Sequence, residues 1–133
     1  MFFLFYICKK NIMKDTLVSY DLALLAKEKG FDEITDVIYN TQYNKNTLMS
    51  NFNNLKNSDG NNPLLSAPTL SLLQKWLREK FDIEIFVTKR EFAAECDNGY
   101  YFTVGTSNFI RGKSDEPDDA LEKGLNFGLN EIK

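Results

Sequence analysis

The spacing of apolar residues changes abruptly within residues 66–87. Over residues 70–77 the leucines recur every three to four positions, which places them on one face of a helix. From residue 83 the period becomes two, so Ile83, Ile85 and Val87 share one face of a strand while Phe86 lies on the other. The pattern predicts a helix that leads directly into a strand over residues 83–88.

The start of this helix is expected near Ser66 or Ala67. Either residue fits the N-cap, and Pro68 then falls in the first turn, where its missing N–H costs nothing. Trp76, the only tryptophan, lies four residues after Leu72 and widens the apolar face. A ligand platform is the alternative for a lone tryptophan, but this spacing favours the core, so we predict that Trp76 is buried.

Four segments carry motifs that follow one another along the chain. Ser-Ala-Pro-Thr at residues 66–69 precedes Ser-Leu-Leu-Gln-Lys-Trp-Leu-Arg-Glu-Lys at 71–80, and shorter motifs occupy residues 26–33, 43–46 and 119–125. Together they resemble an uncharacterised protein family of phages and integrated mobile elements of gut bacteria, over about two-thirds of the chain. Phe81-Asp82 and residues 115–118 depart from the family pattern. The resemblance implies a mobile-element origin, and it assigns no activity and no functional residue.

Before that stretch, the sequence predicts a helix, a strand and a long polar loop. Ser19 fits the N-cap of a helix over about residues 20–29, and Gly30 supplies the left-handed residue that ends it. Weak alternation over residues 36–42 predicts a strand. Residues 43–63 are rich in Asn, Ser, Asp and Gly, so we expect a loop that is either functional or mobile.

The first residues are expected to be separate from the main domain. We interpret residues 1–12 as either an upstream extension or an additional strand, and residues 13–133 as a single α+β domain. An interfacial anchor is a further alternative for the apolar run within the first segment. The apolar run at 2–7 is too short to span a bilayer, which needs about 20 apolar residues. It also lacks the basic segment and the small-residue cleavage site of a signal peptide. No membrane span is therefore predicted.

The second half alternates short strands with a final helix. Asp-Asn-Gly at residues 97–99 predicts a hairpin turn between a short strand at 92–96 and a strand at 100–105. A brief edge strand is expected at 108–111, and a leucine stripe predicts a helix over about residues 117–132. This order predicts an α+β fold in two layers, a small antiparallel sheet with helices packed on one face.

Small and acidic residues mark the last helix. Gly124 and Gly128 lie on or beside its leucine stripe, and we expect them to let the helix backbone approach the sheet closely. Ser114 and Asp115 fit the N-cap. The acidic residues around the helix start complement the helix dipole, which is favoured over the alternative of a metal site.

Net charge and the content of histidine and cysteine make several classes of function less favourable for this chain. The chain has 133 residues, a net charge of −3 and a pI of about 5.0, so it has no long-range attraction for nucleic acid or an anionic membrane. The absence of histidine removes the commonest general base and most zinc sites. Cys8 and Cys96, far apart in sequence, indicate reduced thiols and a cytoplasmic location. No phosphate loop, dinucleotide fingerprint or catalytic carboxylate pair is recognisable, so we predict no catalytic residue, metal or cofactor.

Two groups of residues are candidates for binding. If Ile85 and Val87 face the helices, Phe86 and Tyr101 point to the opposite face of the sheet, where two aromatic side chains need a cover or a partner. A basic group around one helix end and the following strand suits phosphate-bearing ligands, although acidic neighbours dilute it. This group consists of Lys75, Arg78, Lys89 and Arg90.

The leading hypothesis is a small non-enzymatic accessory protein of a phage or mobile element in the cytoplasm of its bacterial host. It would bind a host or phage protein through the aromatic face, and a second copy of the chain is an alternative occupant. One different function is a nucleic-acid-binding factor that uses the basic group. Another is a sponge or hydrolase for a small phosphorylated ligand.

Overall fold

The α+β class predicted from the sequence is confirmed. A computed structural model describes residues 16–42, 47–59, 64–90, 99–105 and 110–133, and they form three helices and two three-stranded antiparallel sheets. The elements are α1 (Tyr20–Glu28), β1 (Val37–Asn40), β2 (Thr47–Ser50), β3 (Leu64–Ser66), α2 (Leu70–Phe81), β4 (Ile85–Arg90), β5 (Gly99–Val104), β6 (Gly112–Ser114) and α3 (Pro117–Asn130). The two sheets have the strand orders β2-β1-β3 and β4-β5-β6.

Helix α1 begins and ends where its local sequence predicts. The side chain of Ser19 accepts a hydrogen bond from the N–H of Leu22, which caps the first turn. Gly30 has a φ of 99° and reverses the chain after the last turn. The N–H of Phe31 then donates to the carbonyl of Ala26 at 2.9 Å, and the ring of Phe31 is buried.

The first sheet contains a strand in the stretch for which the sequence predicts a loop. The predicted strand at 36–42 is present as β1, and β1 pairs on one side with β2 and on the other with β3. β2 lies inside residues 43–63. All four of its side chains are exposed, so it has none of the apolar alternation that marks a half-buried strand.

Helix α2 starts later than expected, and the predicted cap at Ser66 or Ala67 is wrong. Ser66 pairs with Ile38 as the last residue of β3, so the chain is still extended there. The cap is Thr69, whose hydroxyl accepts from the N–H of Leu72 at 3.1 Å. At the other end Asp82, with a φ of 56°, turns the chain toward β4.

Trp76 belongs to the core, as predicted. Its side chain is only 6% exposed. The indole makes edge-to-face contacts with Phe31 and Phe81, with ring centroids 5.3 and 5.1 Å apart. Phe31 follows α1, whereas Trp76 and Phe81 lie on α2, so the indole joins the two helices.

Helix α3 packs across the second sheet at close range. A Cβ atom added at Gly124 would lie 2.7 Å from Cγ2 of Ile85, and one at Gly128 would lie 2.9 Å from Cδ1 of the same side chain. The close approach expected for these glycines is therefore present. The N-cap of α3 is Glu116, without a side-chain cap, while the hydroxyl of Ser114 donates to Asp119.

Both sheets and all three helices contribute residues to one hydrophobic cluster. Backbone hydrogen bonds from Val18 to Pro68 and from Leu70 to Thr16 join the start of the described chain to the beginning of α2. Lys29 Nζ donates to the carbonyl of Ile132, which ties the end of α1 to the end of α3.

Some predicted features lie outside the described residues. They are the segment 1–12, the strand at 92–96 and the first two residues of the hairpin turn. The predicted edge strand at 108–111 lies partly outside them, and β6 follows directly after it.

Candidate functional site

A groove of about 410 Å³ runs beside the outer edge of β4. We call it the β4 groove. Three parts of the fold form it: one side chain of α2, the strands β4 and β5, and the first turns of α3. Its lining residues are Gln74, Ile85, Phe86, Val87, Lys89, Tyr100, Pro117, Asp118 and Leu121.

The two predicted aromatic contact residues differ in exposure. Phe86 is 54% exposed and lines the β4 groove, whereas Tyr101 is 8% exposed and does not. β4 is an edge strand, while β5 lies between β4 and β6, so Tyr101 is flanked by Thr88 on one side and Lys113 on the other. A side chain on a central strand is covered by neighbours that an edge residue lacks. Phe86 therefore remains a contact candidate and Tyr101 does not.

Two members of the predicted basic group form ion pairs with acidic neighbours. Lys75 Nζ lies 4.0 Å from Glu79, and Arg78 Nη1 lies 3.3 Å from Glu84. Exposed pairs of this kind contribute about 0–1 kcal/mol to stability, but they locally neutralise the charge that a phosphate would need. Lys89 lies in the β4 groove, and Arg90 ends β4 with a side chain outside the described part.

The backbone of β4 presents hydrogen-bonding groups to the groove. The N–H of Gly105 donates to the carbonyl of Glu84 at 2.7 Å, which fixes the alternation of the β4–β5 ladder. Ile85, Val87 and Lys89 accordingly direct their N–H and C=O groups away from β5. Gln74 Nε2 donates to the carbonyl of Ile85 at 2.7 Å, so α2 covers the edge at that residue. No hydrogen bond between described residues engages the outward groups of Val87.

Sequence reasoning assigned no role to Gln74. The side-chain amide of Gln74 makes the hydrogen bond to Ile85 that a neighbouring strand would otherwise make. It reaches no further along β4, so pairing of β4 with an additional strand would begin at Val87. The only signal in the sequence is a polar residue beside the apolar face of a helix that precedes an edge strand.

A second groove, of about 630 Å³, lies where the N-terminal segment meets α3, and its polar groups are engaged within the fold. The hydroxyl of Thr16 donates to Asp118, and the N–H of Ser19 donates to Glu122 at 2.8 Å. The hydroxyl of Tyr39 donates to the carbonyl of Val18 at 2.7 Å. Burial raises the pKa of Tyr39, and the nearby charge of Glu122 raises it further. The side chains of Asp118 and Glu122 therefore hold residues 16–19 against α3.

Asp119, in the first turn of α3, also has structural partners. The hydroxyl of Ser114 holds the pKa of Asp119 below its usual range, and Lys123, 3.1 Å away, acts in the same direction. Within the described ranges, no group of three Cys, Asp or Glu side chains is placed to hold a metal ion. Asp118 and Asp119 lie in the first turn of α3, where acidic side chains complement the helix dipole.

Comparisons of the chain with protein-family models, with curated proteins and with solved structures found no match. In the part of the chain that the structure describes, no helix combines the length and apolarity that crossing a bilayer requires.

Proposed function

We propose that this protein is a small non-enzymatic binding module that recognises a host or phage protein through the β4 groove. It would act in the cytoplasm of a bacterium that carries the phage or mobile element. The observation that carries the proposal is the exposure of Phe86, 54%, on an edge strand beside an apolar groove. The resemblance to mobile-element proteins supports an accessory role.

The groove has the chemistry of a site for an extended peptide segment. Phe86 and Leu121 offer apolar contacts, and the outward N–H and C=O of Val87 can pair with the main chain of a partner. Lys89 and Asp118 lie among these lining residues and are its only charged members in the described part of the chain. An added strand would gain its affinity from the main chain and its specificity from the contact with Phe86.

The experiment places a photo-crosslinking amino acid at position 86 in the full chain, expressed in the bacterium that carries the gene. Ile34 is the matched control site, since it is 49% exposed and lines neither the β4 groove nor the groove beside Tyr39. We expect one protein to be crosslinked from position 86 and not from position 34. Binding of that purified protein should then be lost in Phe86→Ser and retained in Ile34→Ser.

Two outcomes would overturn the proposal. Equal crosslinking from both positions would show that the groove is not selective. Capture that disappears after nuclease treatment and weakens steeply with salt would instead favour the nucleic-acid-binding function.

A further inference from the structure

One of the two edge strands of the first sheet, β2, has an unusual composition. β2 is Thr-Leu-Met-Ser, and its two apolar side chains, Leu48 and Met49, are 44% and 42% exposed on opposite faces. Phe52, two residues after the strand, is 87% exposed. Residues 46–55 contain no charge, proline or glycine, although the whole chain carries 16 basic and 19 acidic residues. Edge strands usually carry a lysine, a proline or a bulge that prevents pairing with another chain.

Hydrogen bonds on both sides of β1 fix which backbone groups of β2 face outward. The N–H of Ala67 donates to the carbonyl of Val37, so Val37 and Tyr39 face β3. The N–H of Asn51 donates to the carbonyl of Asp36, which agrees with Ile38 and Asn40 facing β2.

The alternation of the ladder then determines the open edge. Thr47 and Met49 face β1, and Leu48 and Ser50 direct their N–H and C=O groups outward. No hydrogen bond between described residues uses these outward groups. Pairing with one more strand would satisfy them.

We propose that β2 pairs antiparallel with β2 of a second copy of this chain, about a two-fold axis at Met49. In this register Leu48 of each copy exchanges two hydrogen bonds with Ser50 of the other. Met49 lies opposite Met49 of the second copy in a non-hydrogen-bonded pair, where side chains are closest. The two sheets become one continuous six-stranded sheet.

A second copy fits this edge because the strand is self-complementary. The outward groups are placed symmetrically before and after Met49, as an isologous interface requires. The strand brings no like charges together across the axis, although each copy has a net charge of −3. Since only a short strand pairs, the interface is small and the dimer should dissociate on dilution.

Sedimentation of the full chain over a wide concentration range tests the association. We expect a monomer–dimer equilibrium that Met49→Lys abolishes, because two lysines would then oppose each other at the axis. Met49 is 42% exposed, so the thermal melt of this variant should match that of the parent chain at a concentration where the parent chain is monomeric. Phe86→Ser, in the second sheet, should leave the equilibrium intact, which separates this inference from the proposed function.

Oxidative crosslinking tests the register and remains informative if Met49→Lys fails to fold. In a chain with Cys8 and Cys96 replaced by serine, Met49→Cys should form an intermolecular disulfide rapidly, since opposed residues in such a pair meet the distance limits of the bond. Thr47→Cys is the matched control, because in this register its copies lie far apart. A monomer at every concentration, a dimer that persists in Met49→Lys, or equal crosslinking at both positions would overturn the inference.

Discussion

The contact between α3 and β4 allows a prediction at the level of single atoms. In an exposed helix interior, replacing glycine by alanine stabilises a protein by about 1 kcal/mol. At Gly124 the new Cβ would meet Cγ2 of Ile85 at 2.7 Å and Cδ2 of Phe102 at 3.2 Å. Ile85 is 1% exposed and β-branched, so its Cγ2 has little freedom to move. Overpacking typically costs about 1–3 kcal/mol, so Gly124→Ala should be destabilising by up to roughly 2 kcal/mol.

Gly128 provides a matched case, because it faces Cδ1 of Ile85, whereas Gly124 faces Cγ2 of the same side chain. Its added Cβ would meet Cδ1 of Ile85 at 2.9 Å, and Ile85→Val removes Cδ1 but keeps Cγ2. Ile85→Val alone should cost about 0.5–1.5 kcal/mol. Combined with Gly128→Ala it should cost less than the sum of the two single changes, by about 0.5–1 kcal/mol. Combined with Gly124→Ala the costs should simply add.

Urea unfolding followed by the fluorescence of Trp76 measures these free energies. Asn126→Ala, at an exposed position of the same helix, is the control and should lie within about 0.5 kcal/mol of the parent chain. If Gly124→Ala stabilises the protein, α3 does not approach the sheet as closely as described. If Ile85→Val relieves both alanine substitutions equally, the assignment of the contacts to separate atoms is wrong.

Three further predictions concern the core and its caps. Trp76→Ala should lower the free energy of unfolding by about 3–5 kcal/mol, and an unchanged thermal melt would refute the core assignment. Thr69→Ala should cost about 1 kcal/mol through loss of the α2 cap, whereas helix formation should not depend on the hydroxyl of Ser66; calorimetry of the two alanine variants compares them. Because the pKa of Tyr39 is raised above 10.0, its contribution to stability is present below that pH and is lost as the pH rises through the higher folded-state pKa. Tyr39→Phe should reduce the alkaline decline of stability in pH-dependent melts, and an unchanged slope would contradict the shift.

The sequence by itself determined the features that depend on neighbouring residues. Ser19 and Gly30 mark the ends of α1 because a cap and a left-handed residue act within one turn. The burial of Trp76 and the close approach of Gly124 also follow from positions on a helical face. The α+β class follows from the order of such elements.

Tertiary structure decided the features that depend on pairing between distant strands. Ser66 is a good cap residue by local rules, yet pairing with Ile38 keeps it extended and moves the cap to Thr69. β2 has no apolar alternation, and it is a strand because its backbone pairs with that of β1. Phe86 and Tyr101 share a predicted face, and only the strand order exposes one and buries the other. Whether a strand lies at the edge or the centre of a sheet is a non-local property, so the position of a binding edge cannot be read from residue spacing.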